Sequence, residues 1–133
     1  MREITEQSAA AFMAARPFRK GNTEVIVENG KTTLYLHGNP IARKIGPRVE
    51  VSTAGWKTNT TKERLNGLLS YFDIPIQSKY ARVWQHRGEW RMTAPATEWQ
   101  PQVIDADSIN WYVVSHGSDL ERLANVGKEG AEK

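Results

Sequence analysis

The stretch GWKTNTTKERLNGLL, residues 55–69, decides how the rest of the chain is read. Within it, Thr60-Thr61-Lys62-Glu63 has the spacing of a capping box: a hydroxyl at the first position accepts from the amide at the fourth, and the carboxylate there reaches back. A helix is therefore expected to start near Thr61. Leu65, Leu68, Leu69 and Phe72 recur at three- and four-residue intervals and give it an apolar stripe, while Lys62, Arg64 and Asn66 are read as pointing elsewhere. Asp73-Ile74-Pro75 ends the helix, because a residue before proline avoids the helical region. A short helix with one apolar stripe needs a sheet to cover.

The sheet is written upstream. Residues 23–28 alternate, and Asn29-Gly30 follows, a dipeptide that accepts positive φ at both turn positions and so joins them to 31–37 as a hairpin. His37-Gly38-Asn39-Pro40 is a second turn, 41–45 a third strand, and Gly46-Pro47 a break before 49–53. This reads as an antiparallel β-meander of three to four strands with one apolar face. Before it, Thr5 can cap an alanine-rich N-terminal helix that Pro17 stops and that packs on the sheet by Phe12 and Met13.

Downstream of the central helix, 76–79 and 80–85 read as strand. Arg87-Gly88 turns the chain into 89–93, a second β-hairpin whose Trp84 and Trp90 are expected to face each other. Residues 94–101 read as a loop anchored by Trp99, 105–108 as a turn and 109–115 as one more strand. Ser118 or Asp119 caps a short acidic helix through Asn125, with a frayed tail from Gly127. The fold class is α+β, organised as 1–22 (N-terminal helix and linker), 23–92 (meander, helix and hairpin core) and 93–133, together one compact domain.

Composition bounds the function. The 133 residues are 39% apolar and 25% charged, and lack cysteine, which removes disulfides, thiolate metal sites and cysteine nucleophiles. No apolar run approaches the roughly 20 residues of a membrane span. The first residues show no basic flank leading into a hydrophobic region, so a cytoplasmic location is expected. The net charge of +3 is unevenly spread: from Pro40 to Met92 ten Lys or Arg face four acids, a net of +6, whereas the last 41 residues carry three cations and seven acids, a net of −4. A basic middle with an acidic end points to an anionic partner, to a tail that folds over the middle and screens it, or to a solvated surface of mixed charge.

The combination TTLYLHGNPIAR at 32–43, AGWKTNTTKERLNGLL at 54–69, and the Ile-Gln-Ser-Lys and Gly-Glu-Trp segments between 76 and 90 resembles a group of small bacteriophage proteins. These share a Gly-Trp followed by a Thr-Thr-Lys-x-Arg-Leu-Asn helix. The resemblance spans about residues 23 to 92, and the alanine-rich N-terminus and the segment after Met92 depart from it. It implies a phage gene product acting in a host bacterial cytoplasm, and it brings no catalytic residues, since the group's function is largely unassigned.

A search for chemistry supplies no catalytic, metal or cofactor constellation. His37, His86 and His116 are far apart without a paired acid, and 105–110 resembles a calcium loop but has Asn110 where the sharp turn needs glycine. The expected role is non-enzymatic nucleic-acid binding on a basic face around the central helix N-terminus. That face comprises Trp56, Lys57, Lys62, Arg64 and Asn66, extended by Arg43, Lys44, Arg82 and Arg91. Caps, a corner plug and a solvated helix face account for many of the same residues without a ligand. The alternative is a phage factor that binds and inhibits or modifies a host protein.

Overall fold

In the computed structural model, residues 2–115 are described; the helix expected after Ser118, the tail beyond it and His116 lie outside the described residues. The chain opens with α1 (Glu3–Met13) and continues through β1 (Phe18–Lys20), β2 (Thr23–Glu28), β3 (Lys31–Leu36), β4 (Asn39–Ile45) and β5 (Arg48–Val51). It then forms α2 (Asn59–Leu69), β6 (Arg82–His86), β7 (Glu89–Thr93), β8 (Gln102–Val103) and β9 (Tyr112–Val113). Two antiparallel sheets result, β1-β2-β3-β4-β5-β9 and β6-β7-β8. The α+β class, the N-terminal helix, the central helix and the second small sheet are as the sequence predicts.

Asn29 and Gly30 turn β2 into β3 with φ of 52° and 75°, as the Asn-Gly dipeptide requires. Val25, Leu34, Ala42 and Val51 are successive register partners across four strands, and all are buried. Alternation puts them on one face, and α1 packs over β2 and β3 there with Ala9, Ala11 and Phe12 enclosed. Lys44 donates from β4 to the Met13 carbonyl at 2.8 Å, tying the end of α1 to the sheet.

The meander is longer than the three or four strands expected. β1 is added at one edge, too short at three residues for periodicity to announce it. At the other edge only Tyr112 and Val113 of the expected 109–115 strand pair with β5. A further strand, β8, lies between the residues read as loop (94–101) and those read as turn (105–108). Residues 76–79 are not strand: Pro75–Gln77 form a 3-10 turn, closed by reciprocal backbone hydrogen bonds between Ile74 and Lys79.

Both helix starts need correction. α2 begins at Asn59, so the extended N-cap residue is Thr58, whose hydroxyl accepts from the Thr61 amide at 3.1 Å; Thr60 sits inside the first turn. Glu63 is consequently not part of a capping box. In α1 the N-cap is Arg2, and Thr5 lies within the helix, fully buried.

The displaced Thr5 and Glu63 meet Arg64 between the helices. Arg64 is 2% exposed; its Nε donates to Thr23 Oγ1 on β2 at 3.0 Å, and its Nη1 donates to Thr5 Oγ1 at 2.6 Å and Glu63 Oε1 at 2.8 Å. The Thr5 hydroxyl donates onward to Glu63 Oε1, which also receives Arg2 Nε at 2.8 Å. The Thr5 hydroxyl bond, together with Arg2 and Arg64, holds the Glu63 carboxyl below the usual glutamate range. Burial and nearby Arg2 lower the Arg64 pKa, with Glu63 opposing, and a guanidinium stays charged throughout. The expectation of Arg64 on a solvated or phosphate-facing surface is corrected: among the described residues it is the largest fully buried side chain.

Gly67 sets how closely the helices approach. A Cβ there would stand 2.5 Å from Thr5 Cγ2 and 3.3 Å from the Thr5 carbonyl oxygen. Glycine within a helix costs about 1 kcal/mol relative to alanine, and the close approach it permits offsets that cost.

Arg64→Ala removes the donor shared by Thr5, Thr23 and Glu63 and empties its buried site, so it should lower unfolding free energy in urea by about 2–5 kcal/mol. Gly67→Ala should cost about 1–3 kcal/mol by overpacking against Thr5, whereas Ala10→Gly on the same helix pair should cost only about the 1 kcal/mol of its propensity.

Candidate nucleic-acid interface

The connection from β5 to α2 is pinned by short polar side chains. Ser52 Oγ accepts from the Ala54 amide at 3.0 Å, and Thr53 Oγ1 accepts from the Gly55 amide at 3.2 Å and donates to the Ala106 carbonyl at 3.2 Å. The Trp56 amide donates to the Thr53 carbonyl at 2.9 Å. Ala54 is held at a φ of 54°, costly for a residue with a Cβ, and Gly55 continues at 81°. The tight path leaves Trp56 58% exposed on an ordered corner.

Beside Trp56 lies a cleft of about 490 Å3 between the β3–β4 turn and the start of α2, floored by Leu36 and Ile41 and rimmed by His37, Asn39 and Thr60. Among the described residues, neither Lys nor Arg lines it. Lys57 is paired with Asp107, and Asp105 in the same loop accepts from Ser108 Oγ, the Asp107 amide and Asn110 Nδ2, which hold its carboxyl below the usual range, the Ser108 bond most of all. Residues 105–110 thus form a turn closed on Asp105.

The other nominated residues are dispersed. Asn66 serves the fold: its Nδ2 donates to the Val83 carbonyl at 3.0 Å and its Oδ1 accepts from the Val83 amide at 2.7 Å, reproducing with one side chain the pairing a neighbouring strand would offer β6. Lys62 lies 5.4 Å from the Trp90 ring centre, with Nζ 3.4 Å from Gln85 Oε1. Arg43 stacks 4.0 Å from the Trp111 ring centre and, with Arg48, grips Glu50. Burial opposes ionisation of Glu50, and the two arginines outweigh it, holding its carboxyl below the usual value.

Arg82 and Arg91 come together on the small sheet. Trp84 pairs with Arg91 and Arg82 with Thr93, so alternation places all four on its outer face, away from Val83 and Met92. Trp90 pairs with Gln85 on the inner face and is 2% exposed, so the two tryptophans sit on opposite sides rather than facing each other. The Arg82 guanidinium lies 4.7 Å from the Trp84 ring centre. Around it an open cleft of about 540 Å3 also takes in Lys79, Tyr80 and Trp99, with no acidic residue in its lining among the described residues. Sequence reading named the two arginines and missed the aromatic cluster, whose signal was the spacing of Tyr80, Arg82 and Trp84 at every second residue.

A protein-family model matches residues 1–113, and its description is "Kyanoviridae Gp96 protein". The chain belongs to that family of phage proteins. The match takes in α1 and everything through β9, segments that read from sequence as departures from the phage group. The family's description names a virus group and a gene product and no activity. No curated protein and no solved structure matches the chain. Among the described residues, no helix is long and apolar enough to cross a membrane.

Substitution at the nominated positions should divide them. Asn66→Ala strands the amide and carbonyl of Val83 and should cost about 1–3 kcal/mol in chemical denaturation, while Trp56→Ala and Lys62→Ala stay within about 0.5–1 kcal/mol of the parent. Glu50 and Glu63 both have folded pKa values below the unfolded one, so the unfolded state binds protons first as pH falls. Stability should be flat above the ordinary glutamate pKa of about 4.3 and decline as pH drops below it; Glu63→Gln should flatten part of that decline in acid titrations followed by circular dichroism.

Proposed function

We propose that this phage protein binds single-stranded nucleic acid, with the outer face of the small sheet as its principal contact. The reading is carried by one observation: two cations, Lys79 and Arg82, and three aromatics, Tyr80, Trp84 and Trp99, share an open cleft with no acid in its lining among the described residues, with Arg91 beside it, paired at 2.8 Å to Glu89 on the same face. Bases stack on aromatic rings whatever their sequence, and neighbouring cations follow the backbone phosphates. The Arg82 guanidinium lies over one face of Trp84, 4.7 Å from the ring centre, which keeps a cation beside a ring on which a base would stack. Of the face around the start of α2, exposed Trp56 and Lys57, the latter paired with Asp107, and half-buried Lys62 are kept as a secondary contact, while Arg64 and Asn66 belong to the fold.

A protein partner is the second reading, favoured by Ile76, which is 94% exposed on the 3-10 turn, with Tyr71 and Tyr80 each about half exposed nearby in sequence. A host-directed role in takeover or anti-defence would use that knob.

Fluorescence anisotropy with labelled single-stranded DNA and RNA at two ionic strengths tests the first reading. Binding is expected at low salt with a log–log salt slope near −2, the value for about three phosphate contacts on a single strand. Lys79→Ala combined with Arg82→Ala and Arg91→Ala should bring the slope toward zero, and Trp84→Ala should weaken binding about fivefold or more at unchanged slope. Absence of binding to either strand at low salt removes the reading and leaves the Ile76 knob as the surface to pursue.

A further inference from the structure

The cleft beside Trp56 differs chemically from the small-sheet face. We infer that it is a binding site for an uncharged planar heterocycle of nucleobase or nucleoside size, held by stacking against Trp56. Its volume of about 490 Å3 lies within the usual range for small-ligand sites, roughly 300–1,000 Å3. Leu36 and Ile41, 4% and 1% exposed, give it a fixed apolar floor. His37 and Asn39 supply polar groups on one rim, and Thr60 a hydroxyl on the other.

Three features argue that the ligand is neutral. Among the described residues, neither Lys nor Arg lines the cleft. The neighbouring Lys57 is paired with Asp107, and Arg64 is turned inward onto Thr5, Thr23 and Glu63. The amides that would meet an anion at the start of α2 are partly engaged, since Thr61 donates to the Thr58 hydroxyl and Lys62 to the Thr58 carbonyl. Both walls are pre-formed. His37 is held with Nε2 3.3 Å from Asn22 Nδ2 and its amide on the Asn22 carbonyl, and the Trp56 corner is fixed by Ser52 and Thr53. A large ring left in solvent on a corner so constrained is poised to stack. The site rests on its own geometry, so failure of oligonucleotides to bind the small sheet does not bear on it.

The test is a titration of isotope-labelled protein with adenosine, cytidine and adenosine 5′-monophosphate, followed by amide and indole chemical shifts. Saturable shifts are expected at Leu36, Ile41 and the Trp56 indole with either nucleoside. The monophosphate should bind within about threefold of adenosine, since no cation meets its phosphate. Trp56→Ala should weaken binding about tenfold or more, and Trp56→Phe, which keeps an aromatic face, should retain most of it. Because Trp56 is exposed, both variants keep the fold, as far-ultraviolet circular dichroism will verify. The inference is overturned by any of four results. These are no saturation with either nucleoside at about 10 mM, shifts confined to Trp84 and Trp99, unchanged affinity in Trp56→Ala, or a monophosphate that binds far more tightly and is released by salt.

Discussion

The guanidinium of Arg64 is the point on which three elements converge. It sits on α2, its two hydroxyl acceptors belong to α1 and β2, and its counter-charge is the adjacent Glu63. A charge taken out of water is tolerated only where its donors are answered, so α1, α2 and β2 are bound to one relative arrangement. Gly67 acts in the same place, one turn along α2, by letting the backbone of α1 come close enough for Thr5 to serve as both acceptor and donor. Leucines alone would hold these elements together in many registers; this polar cluster selects one.

From that fixed helix pair the rest of the architecture follows. α2 carries the small sheet through the paired hydrogen bonds of Asn66 to Val83, and through the buried contact of Val83, Trp90 and Met92 with the shared core. Its N-terminus receives the chain from β5 at the Trp56 corner. The two candidate surfaces therefore stand at opposite connections of one helix: an uncharged cleft where the chain enters, and a basic aromatic face on the sheet docked along its side.

Local signals were legible wherever chemistry is local. Asn29-Gly30 specified its hairpin, and Leu65, Leu68 and Leu69 specified the buried stripe of α2. Arg64 was misread because residue type was given precedence over position. Counting back from Leu68 by four and from Leu65 by four gives Arg64 and Thr61, both buried, so the stripe itself pointed to them. The true cap at Thr58 was hidden by the threonines that follow it, since Thr58, Thr60 and Thr61 offer equivalent hydroxyls and only the corner geometry chooses among them. β1 pairs with the adjoining β2 but is too short for periodicity to announce it, whereas Asn66 and β8 depend on partners more distant in sequence that no spacing rule reaches. At the candidate sites, Trp56 was legible as an outlier, whereas the small-sheet cleft needed the fold to bring Trp99 to Tyr80 and Trp84.

The edge strand β1 carries a consequence of another kind. An open six-stranded sheet ends in unpaired backbone donors and acceptors, and such an edge invites a second chain to add itself. Here the exposed rim is three residues long, and two of them are Arg19 and Lys20. A rim so brief and so positively charged repels its own copy. Two copies are thus kept from joining β1 to β1 into one continuous sheet.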